Sequence, residues 1–144
     1  MATLPVDWAT PEVTPTNREW FTSGTLAVQR CTSCSTLQHP PEEVCPRCGH
    51  TEFDHRVLAP IGTVYSYTIA HYPAHPDLAD SVPYAVVLVS LDEAPEVRVV
   101  GNMPGIDPAD LSIGLRVEPY WEERTAEDGS AVLLPQWRPA AVPR

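Results

Sequence analysis

The sequence predicts a mainly β protein: a short N-terminal helix, a zinc ribbon and a five-stranded OB-fold barrel. Two observations support this prediction. All four cysteines lie in two C-x-x-C pairs within residues 31–48, and the strand and helix patterns that follow them have the order of an OB-fold. The expected division is an arm and short helix over residues 1–25, a zinc ribbon over 26–56 and the barrel over 57–144.

The first fifteen residues are predicted to form an extended arm, because they contain three prolines and show no hydrophobic periodicity. Trp8 lies in this arm. We expect it to pack either on its own domain or on the surface of a partner.

A short helix is predicted directly after the arm. Thr16 and Glu19 have the spacing of a capping box, with Thr16 as the N-cap and Glu19 at position N3. The helix should include Trp20 and Phe21 and end at Gly24. Two large aromatic side chains are more than so short a helix can bury on itself, so they indicate a docking face, either within the chain or on a partner subunit.

The four cysteines, Cys31, Cys34, Cys45 and Cys48, have the spacing of a tetrathiolate metal site. Each pair can face one ion from a tight turn, so that four sulfurs complete a tetrahedron and leave no position for a substrate. Zinc is the expected ion. Iron is the alternative, because the same pair of cysteine-bearing turns, called knuckles, also binds iron in rubredoxin-like sites. Two disulfides would suit an oxidising compartment, and a redox C-x-x-C pair is usually single and opens a helix. The sequence shows neither context.

Short strand patterns surround the two knuckles, as expected for a ribbon. They cover residues 26–30, 36–39 and 51–56. Three histidines lie close by in the sequence: His39, His50 and His55. Because four cysteines already complete a site, we expect these histidines to be solvated loop residues rather than ligands.

Five strand patterns make up the predicted barrel. They cover residues 61–71, 84–91, 96–101, 115–123 and 131–138. The first alternates, which would place one set of side chains on a single face: Ile61, Thr63, Tyr65, Tyr67 and Ile69. The second is apolar almost throughout, as expected for a central strand that is covered on both sides.

The one helix of the predicted barrel lies between its third and fourth strands, over residues 106–111. Asp107 is the expected N-cap and Pro108 the first helical residue, and Gly114 follows the end of the helix. This position of the helix favours an OB-fold over other five-stranded arrangements.

Composition restricts the partners of the chain. The net charge is −10, and all nine cations are arginines. Nucleic-acid affinity comes largely from cations that neutralise phosphates, so a nucleic-acid partner is disfavoured. The absence of lysine excludes a Schiff-base lysine in this chain. The N-terminus does not resemble a signal peptide, and no apolar run reaches the length of a membrane span, so a cytoplasmic protein is expected.

No catalytic residue is assigned to this chain from its sequence. Nucleophile elbow, P-loop, H-E-x-x-H and dinucleotide motifs do not occur. His71 ends the first barrel strand, close in sequence to Tyr65 and Tyr67. We interpret these three residues as surface residues of the barrel whose polar atoms contact solvent, rather than as an acid–base site. The paired acidic residues at 92–93 and 122–123 are interpreted as a solvated rim.

Three stretches of the sequence carry a family resemblance: residues 25–34, which contain the first knuckle, residues 39–49, which contain the second, and the run Gly62-Thr-Val-Tyr-Ser-Tyr-Thr-Ile. From about Trp20 to Arg138 the chain resembles the zinc-ribbon OB-fold proteins that are associated with acyl-CoA metabolism and were long described as a domain of unknown function. The resemblance implies a helix, a rubredoxin-like zinc ribbon with the four cysteines as ligands, and an OB-fold.

The resemblance also implies a partner. Members of this family act beside thiolase-superfamily enzymes, among them aldolases that cleave steroid side-chain CoA thioesters. We therefore expect a non-catalytic accessory subunit in a hetero-oligomer, with a thiolase-fold retro-aldolase or acyltransferase as its partner and a CoA thioester as the substrate of the complex. The alternatives are a free-standing acyl-CoA-binding or carrier module and a nucleic-acid-binding OB-fold protein.

Overall fold

The structure, a computed structural model, describes residues 10–141. Trp8 and the rest of residues 1–9 lie outside the described part. One helix, α1 (Arg18–Thr22), precedes all of the strands. The strands are β1 (Leu26–Cys31), β2 (Leu37–Gln38), β3 (Phe53–Leu58), β4 (Gly62–Ala70), β5 (Tyr84–Leu91), β6 (Ala94–Asn102), β7 (Arg116–Thr125) and β8 (Ala131–Pro139). Within residues 10–141, no helix has both the length and the apolar character needed to cross a bilayer.

The strands form two antiparallel sheets. The ribbon sheet has the order β2-β1-β3, and the barrel sheet has the order β6-β5-β4-β7-β8. The outer strands of the second sheet meet: the backbone N–H of Asn102 on β6 donates to Oε1 of Gln136 on β8 over 2.8 Å. The five strands therefore make a nearly closed barrel, which confirms the predicted fold class.

One hydrophobic core runs through both sheets. The barrel contributes most of it, and Trp137 at its centre is fully buried. Leu26 and Val28 of β1 and Leu58 of β3 belong to the same cluster. The base of the ribbon is thus built into the barrel core, and its cysteines project away from that core.

The predicted capping box is wrong, although the helix occurs where it was expected. Asn17 is the N-cap, without a side-chain capping bond. Its side chain is engaged upstream, because the Thr14 N–H donates to Asn17 Oδ1 over 2.7 Å and Asn17 Nδ2 donates to the Glu12 carbonyl over 3.0 Å. The turn that these bonds close delays the start of the helix until Arg18.

The common face predicted along the first barrel strand is also wrong. The pairing of β4 with β5 shifts by one residue between Val64 and Ser66, so that Tyr65 occupies a β-bulge. A one-residue shift moves every later side chain to the opposite face. Tyr67 and Ile69 consequently lie on the core side, opposite Val87 and Ala85, whereas Thr63 before the bulge faces outward.

Two further expectations need adjustment. The helix predicted over residues 106–111 is a single 3-10 turn, Pro108–Asp110. Its predicted cap is confirmed, because Asp107 Oδ1 accepts from the Ala109 N–H over 2.9 Å.

Strand β5 is not covered equally on both sides. Its residues alternate between fully buried and half-buried along its whole length, because the outer face of the barrel has no covering layer among the described residues.

Candidate metal centre

Two matching knuckles present the cysteines. In the first, the Ser35 N–H donates to the Cys31 carbonyl over 2.9 Å, and in the second the Gly49 N–H donates to the Cys45 carbonyl over 2.9 Å. Each knuckle ends in a left-handed residue, with φ of +63° at Ser35 and +78° at Gly49. A left-handed residue reverses the chain after the second cysteine of each pair, and Gly49 adopts that conformation at little cost.

The four sulfurs form a compact cluster. All of them lie within 4.8 Å of one another. The Cys31–Cys48 and Cys34–Cys45 sulfur distances are 3.6 and 3.7 Å. A disulfide requires about 2.05 Å, so the four thiols are free and none is bonded to another. A tetrahedron with Zn–S bonds of about 2.3 Å has edges of about 3.8 Å. The donor set therefore fits a tetrathiolate zinc ion, with all four positions taken by sulfur.

The local environment shifts the pKa values of two of the cysteines in opposite directions. The hydroxyl of Thr36 lies 3.0 Å from Cys34 Sγ, and this contact, together with the Thr36 backbone N–H, lowers the pKa of Cys34 to about 6. The pKa of Cys48 moves the other way, to about 11: the His50 N–H lowers it, but burial and the neighbouring thiols raise it by more. Cys34 is thus the more readily deprotonated of the two thiols, and a metal ion that bound the cluster would deprotonate both.

The three nearby histidines lie outside the cluster of potential metal ligands among residues 10–141. His50 lies 3.8 Å from a carboxylate oxygen of Glu52, and His55 is exposed on β3. His39 is different from both. Its ring packs against Trp20 with a centroid distance of 4.2 Å, its Nδ1 atom is buried without a hydrogen bond, and burial lowers its pKa to about 4. The expectation that His39 is a solvated loop residue is therefore wrong.

The two aromatic residues of α1 lie against the chain itself. Trp20 is 6% exposed and belongs to the core, and Phe21 is half-buried against that core. Of the two docking surfaces considered for them, the structure shows the intramolecular one. A partner contact through the remaining exposed part of Phe21 stays a prediction.

A clamp that the sequence did not suggest supports the loop between the knuckles. Gln29, which is 4% exposed, holds the backbone of Glu42 with two hydrogen bonds: its Nε2 donates to the Glu42 carbonyl over 2.7 Å, and its Oε1 accepts from the Glu42 N–H over 3.0 Å. A glutamine within a strand pattern gives no signal of such a role. The role becomes visible only in the structure, where Gln29 is buried and bonds to a residue thirteen positions further along the chain.

Beside the first knuckle lies an open cavity of about 520 Å³. Three arginines line it: Arg30, Arg47 and Arg56. Arg30 is already paired with Asp54 across the ribbon sheet, with Nε–Oδ1 and Nη2–Oδ2 distances of 2.7 and 2.6 Å. The walls also include Cys34 and Glu96, so the positive charge of the arginines is partly balanced within the cavity.

Fold and site together define a zinc-ribbon OB-fold protein. Residues 22–54 match the family model described as the rubredoxin-like zinc ribbon domain of ChsH2, and residues 55–122 match the model of the C-terminal OB-fold domain of ChsH2. A DUF35 domain-containing scaffold protein of Methanocaldococcus jannaschii is 36% identical over 69% of this chain and 69% of its own length. The chain therefore belongs to the ChsH2/DUF35 family of zinc-ribbon OB-fold proteins.

Two longer relatives have names that refer to acyl-CoA enzymes. A probable enoyl-CoA hydratase alpha subunit of Thermomonospora curvata is 41% identical over 90% of this chain, which spans 39% of that relative. The 3-oxo-4,17-pregnadiene-20-carboxyl-CoA hydratase alpha subunit of Mycobacterium tuberculosis is 35% identical over 64% of this chain, which spans 28% of that relative. This chain corresponds to a minor part of both.

A solved structure covers nearly the whole chain. It is described as an Ltp2-ChsH2(DUF35) aldolase, and the matching chain in it is 41% identical, with a TM-score of 0.75 over 92% of this chain and 100% of that one. The two hydratase relatives are named as enzyme subunits, and the solved structure is named as an aldolase. The zinc ribbon and OB-fold are the family domains that this chain matches.

Proposed function

We propose that this chain is a non-catalytic accessory subunit that binds and completes a thiolase-superfamily acyl-CoA enzyme, a retro-aldolase that cleaves a steroid side-chain β-hydroxyacyl-CoA. The observation that carries the proposal is the match to the Ltp2-ChsH2(DUF35) aldolase, because it covers the whole of the ChsH2(DUF35) chain in that complex and nearly all of this one.

The geometry of the ribbon is compatible with a supporting role. Four thiolates fill a tetrahedron, so a zinc ion held here would offer no open position to a carbonyl or to water, as a catalytic zinc ion does. Such an ion would instead fix the segment between β1 and β3. In this proposal the partner contributes the catalytic residues, and this chain contributes a rigid surface.

Co-expression with a thiolase-like partner, such as a protein related to the Ltp2 component of that aldolase, tests the proposal. We expect the two proteins to co-elute from size-exclusion chromatography, and retro-aldol cleavage of a β-hydroxyacyl-CoA to require both of them. A monodisperse monomer that never co-elutes with this partner would contradict the subunit role. Full activity of the partner alone would contradict its completing role.

One observation favours the alternative of a free-standing acyl-CoA-binding module. In the arginine-lined cavity, Arg47 and Arg56 have no ion-pair partner among the described residues, and the phosphates of CoA are the kind of anion that arginine binds. Titration of the isolated chain with an acyl-CoA, followed by fluorescence, tests this alternative. The double variant Arg47→Gln/Arg56→Gln should then abolish binding, whereas Arg18→Gln on the exposed surface of α1 should leave it unchanged. If the isolated chain binds no acyl-CoA, the alternative fails.

A further inference from the structure

The second half of β4 has an open edge. Strand β4 pairs with β7 only at Gly62 and Thr63, and Val64 then exchanges two backbone hydrogen bonds with residues 114–115. Beyond the bulge at Tyr65, residues 66–70 pair with β5 on one side. On the other side, none of the described residues hydrogen-bonds to them.

The backbone groups that face this open side can be identified. The Ala85 carbonyl accepts from Asn102 Nδ2 on β6, so the backbone of Ala85 faces β6. In an antiparallel ladder, the N–H and C=O of a residue point to the same side, and successive residues alternate. Ile69, which lies opposite Ala85, therefore turns its backbone away from β5, and so does Tyr67, two residues earlier. These two residues present two N–H and two C=O groups in the spacing of a strand.

The other strand edges carry protection that this one lacks. The second half of β7, residues 118–125, also pairs on one side only, but it contains a proline and four charged residues. The outer edges of β6 and β8 meet through Gln136. Strand β2 has only two residues, and the free edge of β3 bears exposed charged residues. Such devices keep sheet edges from pairing with other chains. Residues 64–70 contain neither a charged residue nor a proline, and Tyr65 and Tyr67 are 48% and 39% exposed.

We propose that an extended segment of the partner enzyme subunit adds to the barrel as a further strand along residues 66–70. The inference rests on the proposed function, because it assigns the contact surface of that same partner. An open edge of this kind selects an extended main chain, whose hydrogen bonds supply affinity whatever its side chains are.

The negative charge around the open edge of β4 favours pairing with a different protein over pairing with a second copy of this chain. The two loops next to the edge, residues 71–83 and 103–115, contain no arginine, and all of their carboxylates are exposed: Asp77, Asp80, Asp107 and Asp110. Two copies paired at this edge would bring these carboxylates together, in chains that each carry a net charge of −10. A strand flanked by lysine or arginine meets complementary charge instead.

Hydrogen exchange of the ¹⁵N-labelled chain, measured alone and with the unlabelled thiolase-like partner, tests the proposal at single residues. The amides of Tyr67 and Ile69 should exchange freely in the isolated chain and slow at least about tenfold in the complex, since a tenfold change corresponds to one ordinary hydrogen bond. The amides of Ser66 and Thr68, which already bond to β5, should change much less. A complex that forms without this alternation overturns the proposal and leaves the proposed function standing.

A pair of variants at one position separates main-chain pairing from side-chain contact. Tyr67→Pro removes an outward N–H and leaves the ladder to β5 intact, as proline does on edge strands, whereas Tyr67→Thr retains the N–H and removes the ring. Zinc content and thermal unfolding verify that each variant is folded. We expect partner affinity to fall about tenfold or more with proline and by less with threonine. Equal loss in both variants, or protection of Tyr67 and Ile69 that depends on the concentration of the isolated chain, would overturn the proposal.

Discussion

The metal-binding end of the ribbon and the barrel are held together in different ways. Across residues 31–52, Cys31 and Cys45 are the only buried residues. The hydrophobic core cluster has no buried member between residues 29 and 57, and only the half-buried Leu37 of this segment packs against it. The barrel is the opposite case, with a continuous core centred on Trp137. A segment that cannot exclude water from a core of its own depends on its ion for stability, whereas the barrel depends on packing.

The two regions nevertheless share β1 and β3. Leu26, Val28 and Leu58 at the base of the ribbon pack into the barrel core, and the cysteines lie at its far end. The same two strands are therefore stabilised by core packing at one end and by metal binding at the other. We expect the far end to be able to unfold alone, with the base and the barrel intact, and each of the following predictions tests that separation.

Removal of the metal should have the largest effect. The variant Cys45→Ser is expected to lose its zinc and, with it, the protected amides of residues 31–52, because metal binding supplies roughly 10–16 kcal/mol in small zinc-held folds. The amides of β5 should stay protected. Elemental analysis together with hydrogen exchange provides the measurement, and Ser33→Ala, an exposed position within the same knuckle, provides the control. A zinc-free variant with a protected ribbon would refute the dependence on metal, and loss of the barrel would refute the separation.

Truncation of the barrel core should destabilise the whole chain instead. Trp137 is fully buried, and Trp137→Ala is expected to lower the free energy of unfolding by about 3–5 kcal/mol because it leaves a large cavity. Chemical denaturation measures this loss. Zinc should still bind to the folded fraction at one ion per chain. Tyr72→Ala, at a position 83% exposed, should change stability by less than about 0.5 kcal/mol. If Trp137→Ala released zinc before the barrel unfolded, the two regions would not be separable.

The sequence predicts the features that depend on local spacing. The cluster of four cysteine sulfurs follows from two C-x-x-C pairs. The sequence also places β5 at its observed bounds, because a long apolar run has few other interpretations. The bulge at Tyr65 could not be predicted. It arises where β4 leaves β7 and continues beside β5 alone, and that is a property of the assembled barrel.

Tertiary contacts explain the other differences. His39 resembles any loop histidine in the sequence. It is half-buried, with its Nδ1 atom fully buried, because α1 brings Trp20 against it. Gly101 also looks unremarkable within a strand. A Cβ atom there would lie 2.8 Å from the ring of Trp137, so the close approach of β6 to β8 requires glycine. In both cases the contacting residue lies more than eighteen positions away along the chain, so a short sequence pattern cannot predict the contact.

His39 sits where the loop of the ribbon meets α1, and it makes this junction sensitive to pH. Burial lowers its pKa to about 4, below the ordinary value of 6.5, so between these values the unfolded chain binds a proton that the folded chain does not. Stability must therefore fall as the pH falls through this window, at up to about 1.4 kcal/mol per pH unit.

We expect the free energy of unfolding of the native chain to drop by about 2 kcal/mol more than that of His39→Phe between pH 7 and pH 5. Phenylalanine keeps an aromatic ring against Trp20 and cannot be protonated. Protonation of the cysteine ligands affects both proteins alike and cancels in the difference. Denaturation curves at several pH values provide the measurement, and stability profiles that run parallel would show that the burial of His39 does not govern the junction.

The smallest effect is expected at the Gln29 clamp, which lies between the two regions. Gln29→Met retains the volume of the side chain and removes both hydrogen bonds to Glu42. Glu42 is exposed, so water can replace part of what is lost, and the cost should be about 1 kcal/mol. Because the clamp holds only the loop between the knuckles, the amides of residues 39–44 should exchange faster while zinc remains bound.

Gln38→Met is the matched control. Gln38 pairs with Gln29 across the ribbon sheet and is half-buried, but its side chain makes no hydrogen bond among the described residues. The same substitution there should leave the loop unchanged. If Gln29→Met instead released zinc, the clamp would be part of the metal site, and the far end of the ribbon would depend on its polar contacts as much as on its ion. If only the loop loosens, the ion alone holds the knuckles, and the clamp sets the path of the chain between them.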